Sequence, residues 1–498
     1  MAIDGVGGRT SYLGTSILNL RSQLDDLTQQ LASGKKSTSY AGLGIDRGFA
    51  TGLRAQLSTL AGYSNTAINV NTRIQVANLS LQGIVDAALE TKKGAISSAL
   101  TLDNNGQTPG QKTAYSSFTQ VVALLNTESG GRYLFSGRAT DTPATQSADV
   151  MLNGTGTQAG LKQLIAERKA ADIGASGLGR LVIASPTATS LSVTEEAAGL
   201  PFGMKLSTIS SSLTGSTVSG PTGSPAAVSV DLGATNPNDG EKLRFTFAMP
   251  DGTSETIELT ASTKVPTPAG SFAIGVDSTA TTANLNTALN TAIGTLANSS
   301  LVAASAFAAS DNFFNSDPPL RVGSAPFDAA TTLVAGTPTD TVSWYTGEKG
   351  TDPARGTAVA RIDQSITVQY GARADEDAFR TQLQYIAVYA AMSTSSTDPN
   401  ANAQVTALNQ RTASALAIHP GVQSVQDVQA DFAGAQATVK AATDRQTQTK
   451  TMAQTLLESI EGISNDEVAT KILALQTSLQ ASYQTTATLY QTSLLKFL

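Results

Sequence analysis

A strict heptad pattern near the N-terminus limits what this chain can fold into. Its apolar residues follow one another at intervals of 4, 3, 4, 3 and 4 residues, and they are Leu13, Ile17, Leu20, Leu24, Leu27 and Leu31. This spacing predicts a helix of about 20 residues with one narrow apolar stripe. Because such a stripe is too narrow to cover a broad globular core, the helix needs a single partner helix. Gly34 ends the pattern within a predicted turn, Ser33–Lys36.

The last predicted helix is the only comparable partner. Its apolar residues recur about every 3.6 residues, at Val468, Ile472, Leu475, Leu479, Tyr483, Ala487, Tyr490, Leu494 and Phe497. Lys496 is the only charged side chain from Ile472 to Leu498, whereas a helix that faces solvent normally carries Glu and Lys. The near-neutral outer face therefore predicts that other protein surrounds this helix.

These two patterns together predict an assembly interface. We expect the two terminal helices to pair with each other and then to pack against other copies, as a homo-oligomer. The alternative is an antiparallel coiled coil that only stabilises one chain. The predicted interface residues are Leu13, Ile17, Leu20, Leu24, Leu27, Leu31, Ile472, Leu475, Leu479, Tyr483, Tyr490, Leu494 and Phe497.

Longer periodic segments lie inside the termini. One runs from about Asp46 to about Leu100 and predicts a helix of some 55 residues, roughly 80 Å long. A capping box of Thr108 and Gln111 starts the next helix, and a third helix follows Asp375. On the return path a long helix is predicted from about Ser424 to Glu461. Gly462 then ends it, and a capping box of Ser464 and Glu467 starts the last helix.

The middle of the chain has a different composition. Residues 185–224 are rich in Ser and Thr, and residues 243–259 alternate around a Pro-Asp-Gly turn, which predicts a β-hairpin. Thr282–Ser299 predicts one amphipathic helix, whereas 341–345 and 358–370 are typical of strands. The short aromatic segment Arg132–Gly137 lies between glycines and predicts one arm of another hairpin.

The predicted fold class is therefore α+β. We expect an elongated antiparallel helical coiled-coil stalk, formed by both termini, that carries a mainly β insertion. The predicted segments are an N-terminal coiled-coil segment (1–45), long helices plus a β-hairpin (46–150), a mainly β variable insertion (151–345), returning stalk helices (346–460) and a C-terminal coiled-coil segment (461–498).

Composition excludes several functional classes. The 498 residues include no Cys and one His, and the formal net charge is −7, which excludes disulfides, thiolate metal sites and zinc sites built from several histidines. An acidic chain without a basic run is a poor nucleic-acid binder. Because no stretch approaches about 20 uninterrupted apolar residues, we expect no membrane-spanning helix. We therefore predict no enzyme, no catalytic, cofactor or metal site, and no nucleic-acid or membrane partner.

Four local features invite a functional interpretation, and each has a structural one that we favour. His419 precedes a Pro-Gly turn and has no recognisable nucleophile or acid to work with, so we predict a structural loop residue. Trp344 is predicted to be a hydrophobic anchor rather than a sugar-stacking platform. Asp375–Asp377 is predicted to be an acidic helix N-terminus rather than a cation site. Gly174–Gly179 lacks the lysine and the glycine spacing of phosphate-binding loops and is predicted to be a loop.

Three motifs in the terminal regions resemble the bacterial flagellin family. Leu31–Lys36, directly after the leucine pattern, is similar to the Ser-Gly-Lys/Arg turn of flagellins, and Leu475–Gln484 with Leu494–Leu498 is similar to their C-terminal signature. Arg132–Gly137, followed by Thr140–Pro143, is closer to one branch of the family, the hook-associated proteins at the junction of hook and filament. The resemblance covers about 1–145 and 355–498. Residues 37–46 contain one acidic residue where flagellins carry more, which favours the junction branch.

The resemblance implies a structural component of the bacterial flagellum that functions in cell motility. Paired terminal helices would line the inside of a tube and fold on assembly, the long helices would form its wall, and the insertion would lie outside. Implied partners are other hook-associated proteins, flagellin, the flagellar type III export apparatus and a chaperone. Export by that route fits the residues Met1–Arg9, which lack a cleavable signal, and implies a secreted, extracellular location. Filament flagellin is the first alternative, and a cell-surface adhesin with the insertion as its binding module is the second.

Overall fold

Helices dominate the structure. The computed structural model describes the backbone of residues 4–494 and the side chains of residues 11–492. It is 53% helical and 15% strand, a mixed composition that is compatible with the α+β class. The α-helices are α1 (Asp4–Ser33), α2 (Arg47–Ser97), α3 (Pro109–Leu125), α4 (Ala148–Asn153), α5 (Leu161–Ile173), α6 (Ser278–Ala297), α7 (Ser300–Asn315), α8 (Asp377–Ala391), α9 (Ala401–Ala415), α10 (Val425–Glu461) and α11 (Asn465–Leu494).

The strands are short and lie between α5 and α8. They are β1 (Leu181–Thr187), β2 (Ser190–Glu195), β3 (Lys205–Ser211), β4 (Thr217–Thr222), β5 (Ala227–Asp231), β6 (Lys242–Ala248), β7 (Ser254–Ser262), β8 (Ser271–Ala273), β9 (Leu320–Val322), β10 (Leu333–Ala335), β11 (Val359–Arg361) and β12 (Thr367–Gln369). They form a sheet of order β1-β2-β5-β4, a sheet of order β3-β6-β7-β8, and the two pairs β9-β10 and β11-β12.

The chain divides into two compact units. Unit 1 comprises residues 1–71, 360–368 and 436–498, and unit 2 comprises residues 72–359 and 369–435. The divisions fall inside α2, β11, β12 and α10. Unit 1 is helical apart from short pieces such as the β11-β12 hairpin, and unit 2 contains both large sheets.

The predicted helix boundaries are largely confirmed. The 51-residue α2 and the 37-residue α10 occupy the two long periodic segments. Thr108 accepts a hydrogen bond from the Gln111 backbone N–H, and Gln111 returns one, as a capping box requires. The backbone N–H of Glu467 likewise donates to Ser464 Oγ at 3.4 Å. Local capping chemistry therefore sets these helix starts.

The sheets of unit 2 enclose an apolar core together with α6. In the hairpin of β6 and β7, Leu243 lies opposite Leu259 and Phe245 lies opposite Ile257, as the alternating sequence predicts. Both sheets and α6 contribute to one continuous cluster of buried residues that extends from Leu181 to Ala304. Burying such side chains stabilises each by about 1.5–3 kcal/mol, so this cluster is the main source of stability in the sheet region.

The middle segment is not mainly β, which corrects the sequence prediction. It contains α5, α6 and α7 as well as the sheets. Twelve of the 16 residues of α7 are buried, and the helix packs against α5, α8 and α9. The sequence prediction assigned no element to this segment, which is dominated by small residues. The sequence predicted α6, whose one buried face shows an amphipathic period.

The hairpin predicted at Arg132–Gly137 is reduced to one antiparallel bridge around a tight turn, in which the backbone N–H of Leu134 donates to Thr127 O at 3.0 Å. The segment makes only isolated bridges, between Tyr133 and Glu128 and between Ser136 and Arg373. Gly137 adopts a φ of 65°, which breaks the extended conformation. Phe135 is fully buried and packs edge-on against Phe379 of α8, with ring centroids 5.6 Å apart. The aromatic residue therefore fills a core position rather than a strand.

The two other strand-like segments differ from each other. Residues 358–370 form the short pair β11 and β12, as predicted. Residues 341–345 make only isolated bridges, between Tyr345 and Thr145 and between Thr341 and Ala159.

Within the described residues, one stretch is apolar enough to cross a membrane. This stretch, Ser278–Asn315, covers α6 and α7, and 67% of its most apolar window is buried inside the protein. Its apolar character is therefore accounted for by the core of unit 2.

Candidate assembly interface

In unit 1, hydrogen bonds connect the turn after α1 to the turn before α11. The backbone N–H of Lys36 donates to Glu461 O at 2.7 Å, and that of Ile463 donates to Gly34 O at 3.3 Å. Lys35 and Gly462 form an antiparallel bridge. The C-terminal end of α1 therefore lies beside the N-terminal end of α11. Because the two helices also pack against each other, they run antiparallel.

Both helices present a heptad of less exposed positions. In α1 these are Leu13, Ile17, Leu20, Leu24 and Leu27, all half-buried, while Leu31 is 40% exposed. In α11 the less exposed positions are Val468, Ile472, Leu475, Leu479, Ser482, Thr486 and Leu489. These α11 positions are spaced 4, 3, 4, 3, 4 and 3 residues apart. The spacing matches that of α1, so the two stripes stay in register along the pair.

The structure places some predicted interface residues outside this stripe. Tyr483 and Tyr490 are 49% and 58% exposed. The sequence pattern followed a period of about 3.6 residues, whereas helices that pack along their length follow 3.5, and the two drift apart by about 20° per heptad. Leu494 ends α11 with its side chain outside the described part, and Phe497 lies outside the described residues altogether. The sequence prediction missed Ser482 and Thr486 because both are polar. Only their spacing, which continues the heptad, indicates that they belong to the stripe.

The outward faces of the pair carry further apolar side chains. On α1 the most exposed are Tyr12, at 78%, and Leu18, at 67%. On α11, Leu473 is 64% exposed and joins Tyr483 and Tyr490 on the surface. No charged side chain lies among the described α11 residues after Lys471. Several exposed apolar residues on a helix with so little charge favour a surface that binds other protein.

A charged contact fixes the turn beside the helix pair. The Arg54 guanidinium binds both carboxylate oxygens of Glu461, with Nε–Oε1 at 3.1 Å and Nη2–Oε2 at 2.6 Å. The Arg54 side chain also lies 5.3 Å above the Tyr40 ring and donates to the Tyr40 hydroxyl at 3.1 Å. A bidentate pair holds both partners in one orientation, so the start of α2 is tied to the end of α10.

Two glycine substitutions, one in α1 and one directly after it, are expected to have opposite effects on the stability of unit 1. Gly34 adopts a φ of 65°, a conformation that is unfavourable for alanine, so Gly34→Ala should destabilise unit 1 by about 1 kcal/mol. Gly14 lies inside α1, and a methyl group added there would meet no other atom within 4 Å, so Gly14→Ala should stabilise unit 1 by about 0.5–1 kcal/mol. Thermal unfolding followed by helical circular dichroism measures both, and equal shifts would contradict the role of the Gly34 turn.

Trp344 is a buried anchor, as predicted. Its side chain is 4% exposed, and its indole N–H donates to Phe314 O at 3.0 Å. The ring also packs against Phe314, with centroids 5.3 Å apart. An indole held in this way cannot stack on a ligand from solvent.

The acidic run at the start of α8 is paired with arginines. Arg355 binds Glu376, Arg380 binds Asp377, and Arg373 Nε lies 3.0 Å from Asp375 Oδ1. Burial raises the pKa of Asp375 despite the nearby Arg373. The carboxylates therefore stabilise the fold of unit 2 through these pairs.

The remaining candidate residues lie in loops. His419 is exposed, and its Nε2 lies 3.2 Å from Ala415 O. The segment Gly174–Gly179 is a series of turns, in which Gly174 caps α5 with a φ of 71°. Among the described residues, no group of three or more His, Cys, Asp or Glu side chains is placed to hold a metal ion.

No family model matches the chain, and no curated protein matches it.

Proposed function

We propose that this protein is a structural, non-enzymatic subunit that self-assembles through its paired terminal helices. The observation that carries the proposal is the outward face of α11, which exposes Leu473, Tyr483 and Tyr490 without a charged residue after Lys471. Exposed apolar side chains gain free energy when a neighbouring molecule covers them, at about 25 cal/mol per Å² of apolar surface. Further copies of the same pair offer such a cover, since α1 exposes Tyr12 and Leu18.

The finer form of the proposal is a subunit of the bacterial flagellum at the junction of hook and filament. It is supported by the motifs Leu31–Lys36, Leu475–Gln484 and Arg132–Gly137, which resemble that branch of the flagellin family. In this form the helices of both termini build an antiparallel coiled-coil stalk, and the protein is secreted by the flagellar export apparatus. Its partners are then other hook-associated proteins, flagellin and an export chaperone. Filament flagellin is the alternative within the family.

Charges on the outer face of α11 test the assembly surface. Replacing Tyr483 and Tyr490 together by Lys should abolish assembly, because burying an ammonium group without a partner costs several kcal/mol. The α1–α11 pair should remain, since both tyrosines lie outside its stripe. Sedimentation measures assembly, and helical circular dichroism checks the pair.

A matched control places the same charges elsewhere. Val265 and Val276 are each 96% exposed and lie in unit 2, so Val265→Lys with Val276→Lys should assemble as the unchanged protein does. Undiminished assembly of the tyrosine variant would refute the proposed surface.

The place of the protein in a flagellum is tested by immunogold labelling of intact flagella. Label confined to one position near the hook supports the junction protein. Label along the whole shaft identifies a filament flagellin, and unlabelled flagella contradict both.

A further inference from the structure

Unit 2 contains a cavity of about 500 Å³ that the assembly role does not use. Helices α5, α7 and α8 and the turn after β6 supply its wall. Its size lies within the usual range of small-molecule sites, which is about 300–1,000 Å³. The side chains that give the cavity its chemistry are Arg168, Asp251, Phe307, Asp311, Gln384 and Tyr385.

One amide in this wall has an acceptor atom that no described residue uses. Gln384 is 4% exposed, and its Nε2 lies 3.5 Å from Asp311 Oδ1, at the limit of a hydrogen bond. Within the described part of the chain its Oε1 accepts no hydrogen bond, although it lines the cavity. A ligand hydroxyl that donates to Oε1 therefore finds an acceptor that no described side chain occupies.

An aromatic platform lies next to this amide. The Tyr385 ring stacks on Phe307, with centroids 6.0 Å apart and planes inclined by 28°. Phe307 is 8% exposed, so it holds the tyrosine ring in place. The Tyr385 hydroxyl has no hydrogen-bond partner among the described residues. Burial, with a smaller effect of the Asp311 carboxylate, raises the pKa of Tyr385, so the hydroxyl keeps its proton and can donate.

Most charges around the cavity are already neutralised. Arg168 Nε donates to Asp172 Oδ2 at 2.8 Å, and Asp251 Oδ2 accepts from Arg411 Nε at 2.8 Å. Within the described part of the chain Asp311 has no cationic partner, and its Oδ1 is bound by the amide of Asn315 at 2.7 Å. Among the described residues, the site therefore combines one carboxylate that has no cationic partner with an amide oxygen that accepts no hydrogen bond, a phenol and an aromatic face. This set favours a neutral ligand with several hydroxyl groups over an anion.

We propose that this cavity binds a neutral sugar of hexose size. The C–H face of a pyranose ring packs on Tyr385, and two adjacent hydroxyls donate to Asp311 and to Gln384 Oε1. A carboxylate accepts such hydroxyl hydrogen bonds with charge assistance, which makes them roughly twice as strong as neutral ones. The proposal is independent of assembly, because every residue of the site belongs to unit 2.

Saturation-transfer NMR on the full-length protein tests the proposal. The probes are glucose, galactose, mannose and N-acetylglucosamine, each at millimolar concentration, with glucuronate as the charged counterpart. We expect at least one neutral sugar to bind and glucuronate to bind about tenfold more weakly or not at all, because Asp311 repels its carboxylate.

Two variants and one control locate the binding. Asp311→Asn, at an exposed position, and Gln384→Leu should each weaken sugar binding about tenfold or more. Gln382→Leu is the matched control, since Gln382 lies on the same helix but lines a different groove, and it should bind as the unchanged protein does. Thermal unfolding confirms that each variant folds.

Three outcomes would overturn the proposal. The first is the absence of binding by any of the four neutral sugars. The second is binding that Asp311→Asn leaves unchanged, which would place the sugar elsewhere. The third is a preference for glucuronate, which would show that the site selects an acidic ligand.

Discussion

Removal of residues 475–498 is expected to abolish self-assembly while unit 2 keeps its fold. The truncation deletes Leu475, Leu479, Ser482, Thr486 and Leu489 from the α11 stripe, so the α1 leucines lose most of their partner. Helix α1 is only marginally stable in water when its apolar face has no partner to pack against. Assembly is measured by sedimentation and electron microscopy, and we expect monomers only.

Trp344 provides the control for this truncation. It is the only tryptophan of the chain, and it is buried within unit 2. Its fluorescence during denaturant unfolding therefore reports on unit 2 alone, and the midpoint should equal that of the full chain. If the truncated protein still assembles, the terminal pair is not the assembly element. If the Trp344 transition shifts strongly, the truncation has disturbed more than unit 1.

Arg321→Met is expected to be the most destabilising single substitution considered for unit 2. Glu167 lies on α5 with its side chain 2% exposed, and Arg321 binds both of its carboxylate oxygens, with Nε–Oε2 at 3.0 Å. Removing the guanidinium leaves a buried carboxylate without its cation, which typically costs about 3–5 kcal/mol. The free energy of unfolding, measured by Trp344 fluorescence in urea, gives this loss.

A double variant separates the lost pair from the unpaired charge. Glu167→Leu combined with Arg321→Met removes both charges and should recover most of the stability, since apolar replacement of a buried ion pair is often neutral or favourable. If the double variant is as unstable as the single one, the hydrogen bonds of Arg321 to Asp340 O and to the Thr341 hydroxyl outweigh the pair. A loss below about 1 kcal/mol in the single variant would mean that the pair is solvated.

Local chemistry explains which parts of the fold the sequence predicts. The starts of α3 and α11 and the end of α10 are set by capping residues and by Gly462, whose signals lie within a few residues of the boundary. The register of β6 and β7 follows from side-chain alternation around one turn. In each case the residues that determine the element are neighbours in the chain.

The missed elements depend on distant partners. Helix α7 is packed against α5, α8 and α9, which lie far from it in the sequence and on both sides of it, so its burial depends on these partners. Helix α5 buries Glu167 and Asp172, which a pattern based on apolar residues assigns to the surface. The cavity beside Gln384 combines side chains from three helices and a turn, and no local motif indicates it. Such features arise only when the chain is folded.

The connection between α1 and α11 also affects the order of events during translation. The Lys36 ammonium, just after α1, donates to Ser459 O near the end of α10, which lies 423 residues further along the chain and directly before α11. At synthesis rates of about 5–20 residues per second, α1 leaves the ribosome roughly 20–85 seconds before that partner exists. For that interval the leucines of α1 have no native helix to pack against. A factor that binds nascent chains has this window in which to act on α1, whereas the local hairpins of unit 2 close as they emerge.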